Sequence, residues 1–142
     1  AFLPAMLASG RRGHVLCTSS VAGLGLSAGQ AAYSVSKHAV RVLAQALEQD
    51  LASVGADVGV SVLVPGVVNT RIFTDAATTG TDAAKEQRQA YASFLAGGMD
   101  PADLAATTFE AILAGRRWIH PEPSLSRKML EPVASDLASG LD

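Results

Sequence analysis

Two short apolar runs, set apart by one long helical stretch, constrain this chain more than any other feature. Residues 14–20, His-Val-Leu-Cys-Thr-Ser-Ser, follow a Gly-Arg-Arg-Gly turn and read as a buried strand. Residues 58–64, Val-Gly-Val-Ser-Val-Leu-Val, are mostly β-branched and stop at Pro65-Gly66, so they read as a second strand. Between them, residues 30–53 carry Val40, Leu43, Leu47 and Leu51 at spacings of three and four, the period of one helix face, and Gly55 ends that helix. Two strands joined through a helix lie parallel in one sheet, because the crossover returns the chain to its starting end.

The rest of the chain extends the same alternation. Residues 67–98 hold no strong period, although Ala83–Leu95 suits a helix capped by Thr81 or Asp82. Asp100-Pro101 opens a further helix with a capping acid, a proline at the first position and Asp103 in the first turn. Leu104, Ala105, Thr108, Phe109, Ile112 and Leu113 are its expected buried stripe, and Gly115 closes it. Trp118-Ile119-His120 reads as a third strand and residues 126–137 as a last helix. The order predicts an α/β fold: a Rossmann-like, doubly wound sheet with three parallel strands, adjacent in chain order, and helices packed on it. Ligands in such sheets bind outside the carboxyl ends of the strands. Thr18–Ala22 and Pro65–Thr70 are therefore where chemistry is expected.

Composition narrows the function classes. At 142 residues, 49% apolar and 17% charged, the chain suits one ordered domain. Eleven Lys and Arg against thirteen Asp and Glu give a net charge of −2 with no basic stripe, which argues against nucleic acid as a partner. The single cysteine, Cys17, fits a reducing, cytoplasmic setting. No apolar run reaches the roughly 18 residues of a membrane span. His14, His38 and His120 have no metal-ligand spacing, so no metal site is expected, and Cys17 reads as core. Ala1-Phe2-Leu3-Pro4 is not a signal-peptide start and reads as a chain entered partway through a helix.

Tyr33 and Lys37 stand four apart at the start of the first long helix, hence on one face. A free phenol titrates at about 10, and bringing such a group to neutrality takes roughly 4 kcal/mol of preference for the phenolate. A cation about 4 Å away at an effective dielectric near 20 supplies about that much. Ser20, at the end of the neighbouring strand, could hydrogen-bond a substrate oxygen as charge develops on it.

Ser19-Ser20-Val21-Ala22-Gly23, then Ala32-Tyr33-Ser34-Val35-Ser36-Lys37, then Val64-Pro65-Gly66-Val67-Val68-Asn69-Thr70 occur in this order. Together they resemble the C-terminal half of the short-chain dehydrogenase/reductase family, over roughly residues 2–120. The resemblance implies an oxidoreductase moving a hydride between NAD or NADP and a small-molecule carbonyl or alcohol. It implies that Ser20 orients the substrate oxygen and that Tyr33 is the acid–base residue and also borders the bound cofactor. By the same resemblance, Lys37 would favour the phenolate and bind the nicotinamide ribose, Pro65 and Gly66 would turn over the nicotinamide, and Val68 and Thr70 would hold its carboxamide or phosphate side. Residues 1–142 would then be part of a dinucleotide-binding domain, with 67–98 as the variable substrate-binding segment. The resemblance also implies a homo-oligomer of the full-length protein, since members of this family usually associate through the Tyr-x-x-x-Lys helix.

The family's Thr-Gly-x-x-x-Gly-x-Gly, its Asn-Asn-Ala-Gly stretch and its upstream catalytic Asn do not occur in these residues. The expectation is a fragment, inactive by itself; the rival reading is a non-catalytic remnant or binding module that lacks the phosphate loop. Two other patterns carry less. Gly23-Leu24-Gly25-Leu26-Ser27-Ala28, with Glu48 downstream, fits a dinucleotide fingerprint, but no strand runs into the first glycine and Glu48 falls inside a helix, so the glycines read as loop flexibility. Ser34-Val35-Ser36-Lys37 fits Ser-x-x-Lys of serine β-lactamases, without the other motifs of those enzymes.

Overall fold

The computed structural model describes residues 2–26, 29–72 and 80–141. A short helix α1 (Leu3–Ala8) precedes β1 (Gly13–Thr18), followed by a 3-10 turn (Val21–Gly23), α2 (Ala31–Ser53), β2 (Val58–Leu63), α3 (Asp82–Ala96), α4 (Pro101–Leu113), β3 (Trp118–Ile119) and α5 (Pro123–Ala138). The strands form one sheet in the order β1-β2-β3, with both pairings parallel, as the alternation predicts. Gly13 lies opposite Val58 and Thr18 opposite Leu63; Val62 and Leu63 pair with Trp118 and Ile119. Among the described residues β1 pairs with β2 alone.

β2 is central because it can be buried on both sides. Val60, Val62 and Val64 point to one face and pack with Leu24, with Ala44 and Leu51 of α2, and with Met129 of α5. Leu63 points to the other face and packs with Ile119 and with Ala111, Leu104 and Ile112 of α4. That alternation is the two-residue period of a strand, and helices on both faces make the sheet doubly wound. Gly55 and Gly115 adopt φ of +65° and +69° just past α2 and α4, where few side chains are tolerated. Asp100 caps α4 by accepting from the Ala102 amide at 2.7 Å, with Pro101 in the first turn.

The helix faces differ from expectation. Phe109 and Leu113 of α4 are 67% and 84% exposed, and Ala105 is exposed too; Thr108 and Ala111 are the buried pair. Leu43 of α2 is also exposed, and Ala44 takes the position against the sheet. Both helices carry apolar residues over much of their circumference, so the period does not fix one face, and small side chains let the helix axes approach the sheet closely. The strands are shorter than their apolar runs: β1 stops at Thr18 where Ser19-Ser20 leads into the 3-10 turn. The last helix begins at Pro123, not at 126, and runs through Pro132. No helix among the described residues is long and apolar enough to cross a membrane.

Two histidines tie stability to pH. His14 Nε2 lies 2.9 Å from Ser61 Oγ, which gives its own proton to the Arg116 carbonyl at 2.6 Å, so His14 donates through Nε2. Burial, then the charge of Arg12, holds His14 below the usual 6.5, and burial does the same to His120, whose Nδ1 lies 2.9 Å from Ser126 Oγ. As pH falls through 6.5 the unfolded chain takes up these protons before the folded chain does. The stabilisation is therefore complete above 6.5 and is lost as pH falls below it. Urea midpoints should be lower at about pH 5.5 than at about pH 8, and His120→Gln should reduce the difference; an unchanged difference would remove His120 from this account.

Candidate active site

Beyond the ends of β1 and β2 the backbones remain bonded. The Ser19 amide donates to the Leu63 carbonyl at 2.8 Å and the Val21 amide to the Pro65 carbonyl at 3.0 Å. The loop that carries Ser20 and the Pro65-Gly66 turn are thus held side by side at the carboxyl end of the sheet. Ser20 is buried, and its Oγ accepts from the Ala22 amide at 3.2 Å, which starts the 3-10 turn. That bond uses a lone pair and leaves the hydroxyl proton available to a ligand oxygen.

α2 brings Tyr33 and Lys37 to the same end. Tyr33 is 46% exposed. The Lys37 ammonium lies 5.7 Å from the centre of the Tyr33 ring and donates to the Thr18 carbonyl at 3.2 Å. The Lys37 backbone carbonyl in turn accepts from Ser19 Oγ at 2.8 Å. Lys37 is therefore fastened to the end of β1 through both main chain and side chain, which fixes the cation beside the phenol. Ser19 is the residue sequence reasoning passed over. Its signal was alternation: next to Ser20 on an extended backbone, it must point the opposite way, towards α2.

The glycines around this site serve close packing, and the loop-flexibility reading of Gly23 and Gly25 is corrected accordingly. A Cβ on Gly23 would run into Ser19 Oγ and come within 2.8 Å of the Lys37 carbonyl oxygen. One on Gly25 would come within 2.6 Å of the Met129 carbonyl oxygen of α5. Gly23→Ala should therefore push α2 off the β1 end and cost about 1–3 kcal/mol, as overpacking does. Urea unfolding measures it, and a variant as stable as the parent would show that the Ser19–Lys37 contact gives way freely.

The Pro65–Thr70 stretch forms the next wall. Gly66 sits against α5, where a Cβ would meet the Glu122 carboxylate and Leu125. Val68 bridges to Met99: the Met99 amide donates to the Val67 carbonyl and the Asn69 amide to the Met99 carbonyl, each at 2.9 Å. Thr70 is exposed beyond this bridge. The ends of the 67–98 segment are thereby drawn together; its residues 73–79 lie outside the described residues, as do Ser27 and Ala28 of the glycine pattern. Glu48, inside α2, pairs with Arg117 at 2.7 Å. Burial pushes the Cys17 thiol up, which suits a strand residue packed against the core. Among the described residues no three His, Cys, Asp or Glu side chains gather into a possible metal site.

Comparison with known proteins agrees with this fold. The family model for short chain dehydrogenase matches residues 1–81. Over 134 residues the chain is 34% identical to a dehydrogenase/reductase SDR family protein 7-like of Anopheles gambiae, covering 94% of this chain and 37% of that protein. Over 70 residues it is 46% identical to a 1-deoxy-11-beta-hydroxypentalenate dehydrogenase of Streptomyces exfoliatus, covering 49% of this chain and 25% of the relative. A short chain dehydrogenase/reductase from Burkholderia phymatum, solved in complex with NAD, superposes with a TM-score of 0.77 at 32% identity, covering 90% of this chain and 49% of that one. The chain spans from a quarter to about half the length of these relatives. The family match runs through the Ser20 loop, the Tyr33–Lys37 helix and the Pro65 turn alike, and the chain belongs to the short chain dehydrogenase family.

Proposed function

We propose that the natural protein carrying this chain is an NAD- or NADP-dependent oxidoreductase acting on a small-molecule carbonyl or alcohol, with Tyr33 as its acid–base residue. The observation that carries this reading is the Lys37 ammonium, held by the Thr18 carbonyl at 3.2 Å and standing 5.7 Å from the Tyr33 ring, at the carboxyl end of a parallel sheet. The residues present fit the nicotinamide half of a dinucleotide. An exposed phenol, an ammonium anchored at the end of β1, and a Pro65 carbonyl bonded to the Ser20 loop lie at the carboxyl end of the sheet, where such ligands bind. A bound nicotinamide supplies or accepts the hydride.

In reduction, the Tyr33 hydroxyl gives its proton to the substrate oxygen, and the phenolate left behind faces the Lys37 ammonium. In oxidation the same proton returns to Tyr33. Ser20 donates its free hydroxyl proton to that oxygen and orients it. Lys37 also takes the ribose of the nicotinamide, while Pro65, Gly66, Val68 and Thr70 take the nicotinamide ring and its carboxamide or phosphate side. Residues 1–142 serve as part of a dinucleotide-binding domain and 67–98 as its substrate-binding segment. Copies associate through α2, whose Val35, Val42 and Leu43 are exposed. A reducing, cytoplasmic setting suits the free thiol of Cys17.

The test is loss of NADH or NADPH absorbance when the natural protein meets a panel of aldehydes and ketones, with the alcohol product recovered in equal amount. Dinucleotide oxidation matched by product supports the reading. A folded protein that turns over nothing on the panel in either direction favours the rival, a non-catalytic module of the same fold.

A further inference from the structure

The Gln30 amide donates from Nε2 to the Tyr91 hydroxyl at 3.0 Å. This bond joins two distant parts of the chain. Gln30 occupies the N-cap position of α2, three residues before Tyr33, and its carbonyl accepts from the Ser34 amide at 2.9 Å. Tyr91 lies in α3, in the middle of the excursion between β2 and α4. None of the α3 side chains whose burial is described is buried, and Phe94 is 62% exposed. α3 thus adds little to either core cluster, so its position must be set by local contacts at its ends and along its length. At its base, the Val67–Met99–Asn69 backbone bonds close the excursion. Along its length, Gln30 holds Tyr91.

We propose that Gln30 and Tyr91 are positioning residues that set how closely α3 stands to the Tyr33 end of α2, and so which substrates reach the Tyr33 hydroxyl. The proposal rests on the oxidoreductase reading above for its consequence, but not for the bond itself. Gln30 and Tyr33 are one helical turn apart, so a change at the Gln30 side chain is felt beside the phenol. A hydrogen bond of this kind shifts a local equilibrium about three- to tenfold, enough to alter selectivity without touching the chemistry.

Two measurements on the natural protein separate the parts. Hydrogen–deuterium exchange follows residues 82–96: Tyr91→Phe, which removes one oxygen, and Gln30→Leu should each speed exchange there about threefold or more, with α2 from Ala44 onward unchanged. Gln30→Glu should keep the slow rate, because the Tyr91 hydroxyl can turn and donate to the carboxylate. Equal exchange in all four proteins overturns the pairing. Kinetics with NADH or NADPH and acetone, cyclohexanone and 4-phenylbutan-2-one then reads the consequence. Tyr91→Phe and Gln30→Leu should change KM about three- to tenfold and by different factors for the small and large ketones, with a much smaller change in kcat, and the double variant should change KM by less than the product of the two single factors. Identical KM ratios across the ketones overturn the role in selectivity. No turnover by the unsubstituted protein, with the exchange response present, overturns the oxidoreductase reading and supports the pairing.

Discussion

Tyr33→Phe should leave the natural protein folded and remove its turnover. The substitution deletes one hydroxyl from a side chain that is 46% exposed, and the ring that faces the Lys37 ammonium at 5.7 Å is kept. Folding should therefore change by no more than about 0.5 kcal/mol, as for most surface substitutions. The chemical step loses its proposed proton donor. A positioned acid–base group contributes about 10²–10⁴-fold, so kcat should fall by at least about a hundredfold in both directions of reaction. Dinucleotide affinity should hold, since Lys37 remains fastened by Thr18 and Ser19. The loss would then sit in kcat and not in the cofactor dissociation constant. A variant within about tenfold of the parent would mean that the proton comes from elsewhere, with the Ser20 hydroxyl to interrogate next.

The sheet was legible in the sequence because period and punctuation agreed there. The run at 58–64 is β-branched and bounded by Pro65-Gly66, and only a buried central strand satisfies it. Asp100-Pro101 and Gly115 marked α4 within a residue at each end. The buried faces were not legible in the same way. α4 offers Leu104, Phe109, Ile112 and Leu113 around its circumference, and which of them meets Leu63 and Ile119 depends on tertiary approach, not on spacing. At the site, Tyr33 and Lys37 could be paired from their spacing, and the Pro65 turn from strand order. What spacing could not supply was the fastening of Lys37 by Ser19 and Thr18, because bonds to backbone carbonyls leave no residue-type signature. The Gln30–Tyr91 bond was beyond reach for a similar reason: its partners stand 61 residues apart, and either alone is an ordinary polar residue.

Residues 1–142 taken alone should bind NAD or NADP no more tightly than millimolar. Dinucleotides in parallel α/β sheets gain much of their affinity from a glycine loop and a helix N-terminus on the pyrophosphate. The glycines here are occupied otherwise: Gly23 is packed on the Lys37 carbonyl, Gly25 on Met129 and Gly66 on Glu122 and Leu125. What remains in the proposed site is a Lys37 contact to a ribose and a few backbone contacts at Val68 and Thr70. Such contacts are worth on the order of 1 kcal/mol each, and charge-assisted ones about 2–3 kcal/mol. Their sum, about 5 kcal/mol, meets a loss of translational and rotational freedom of at least about 4 kcal/mol. The small difference leaves an affinity in the millimolar range or weaker. Isothermal titration of the purified 142 residues with each dinucleotide measures it directly. A micromolar dissociation constant would place the binding energy in the Lys37 and Pro65–Thr70 contacts themselves, and Lys37→Met should then abolish it. A weak constant that Lys37→Met leaves unchanged would instead detach Lys37 from the ribose, and with it the part of the proposed site that depends on that contact.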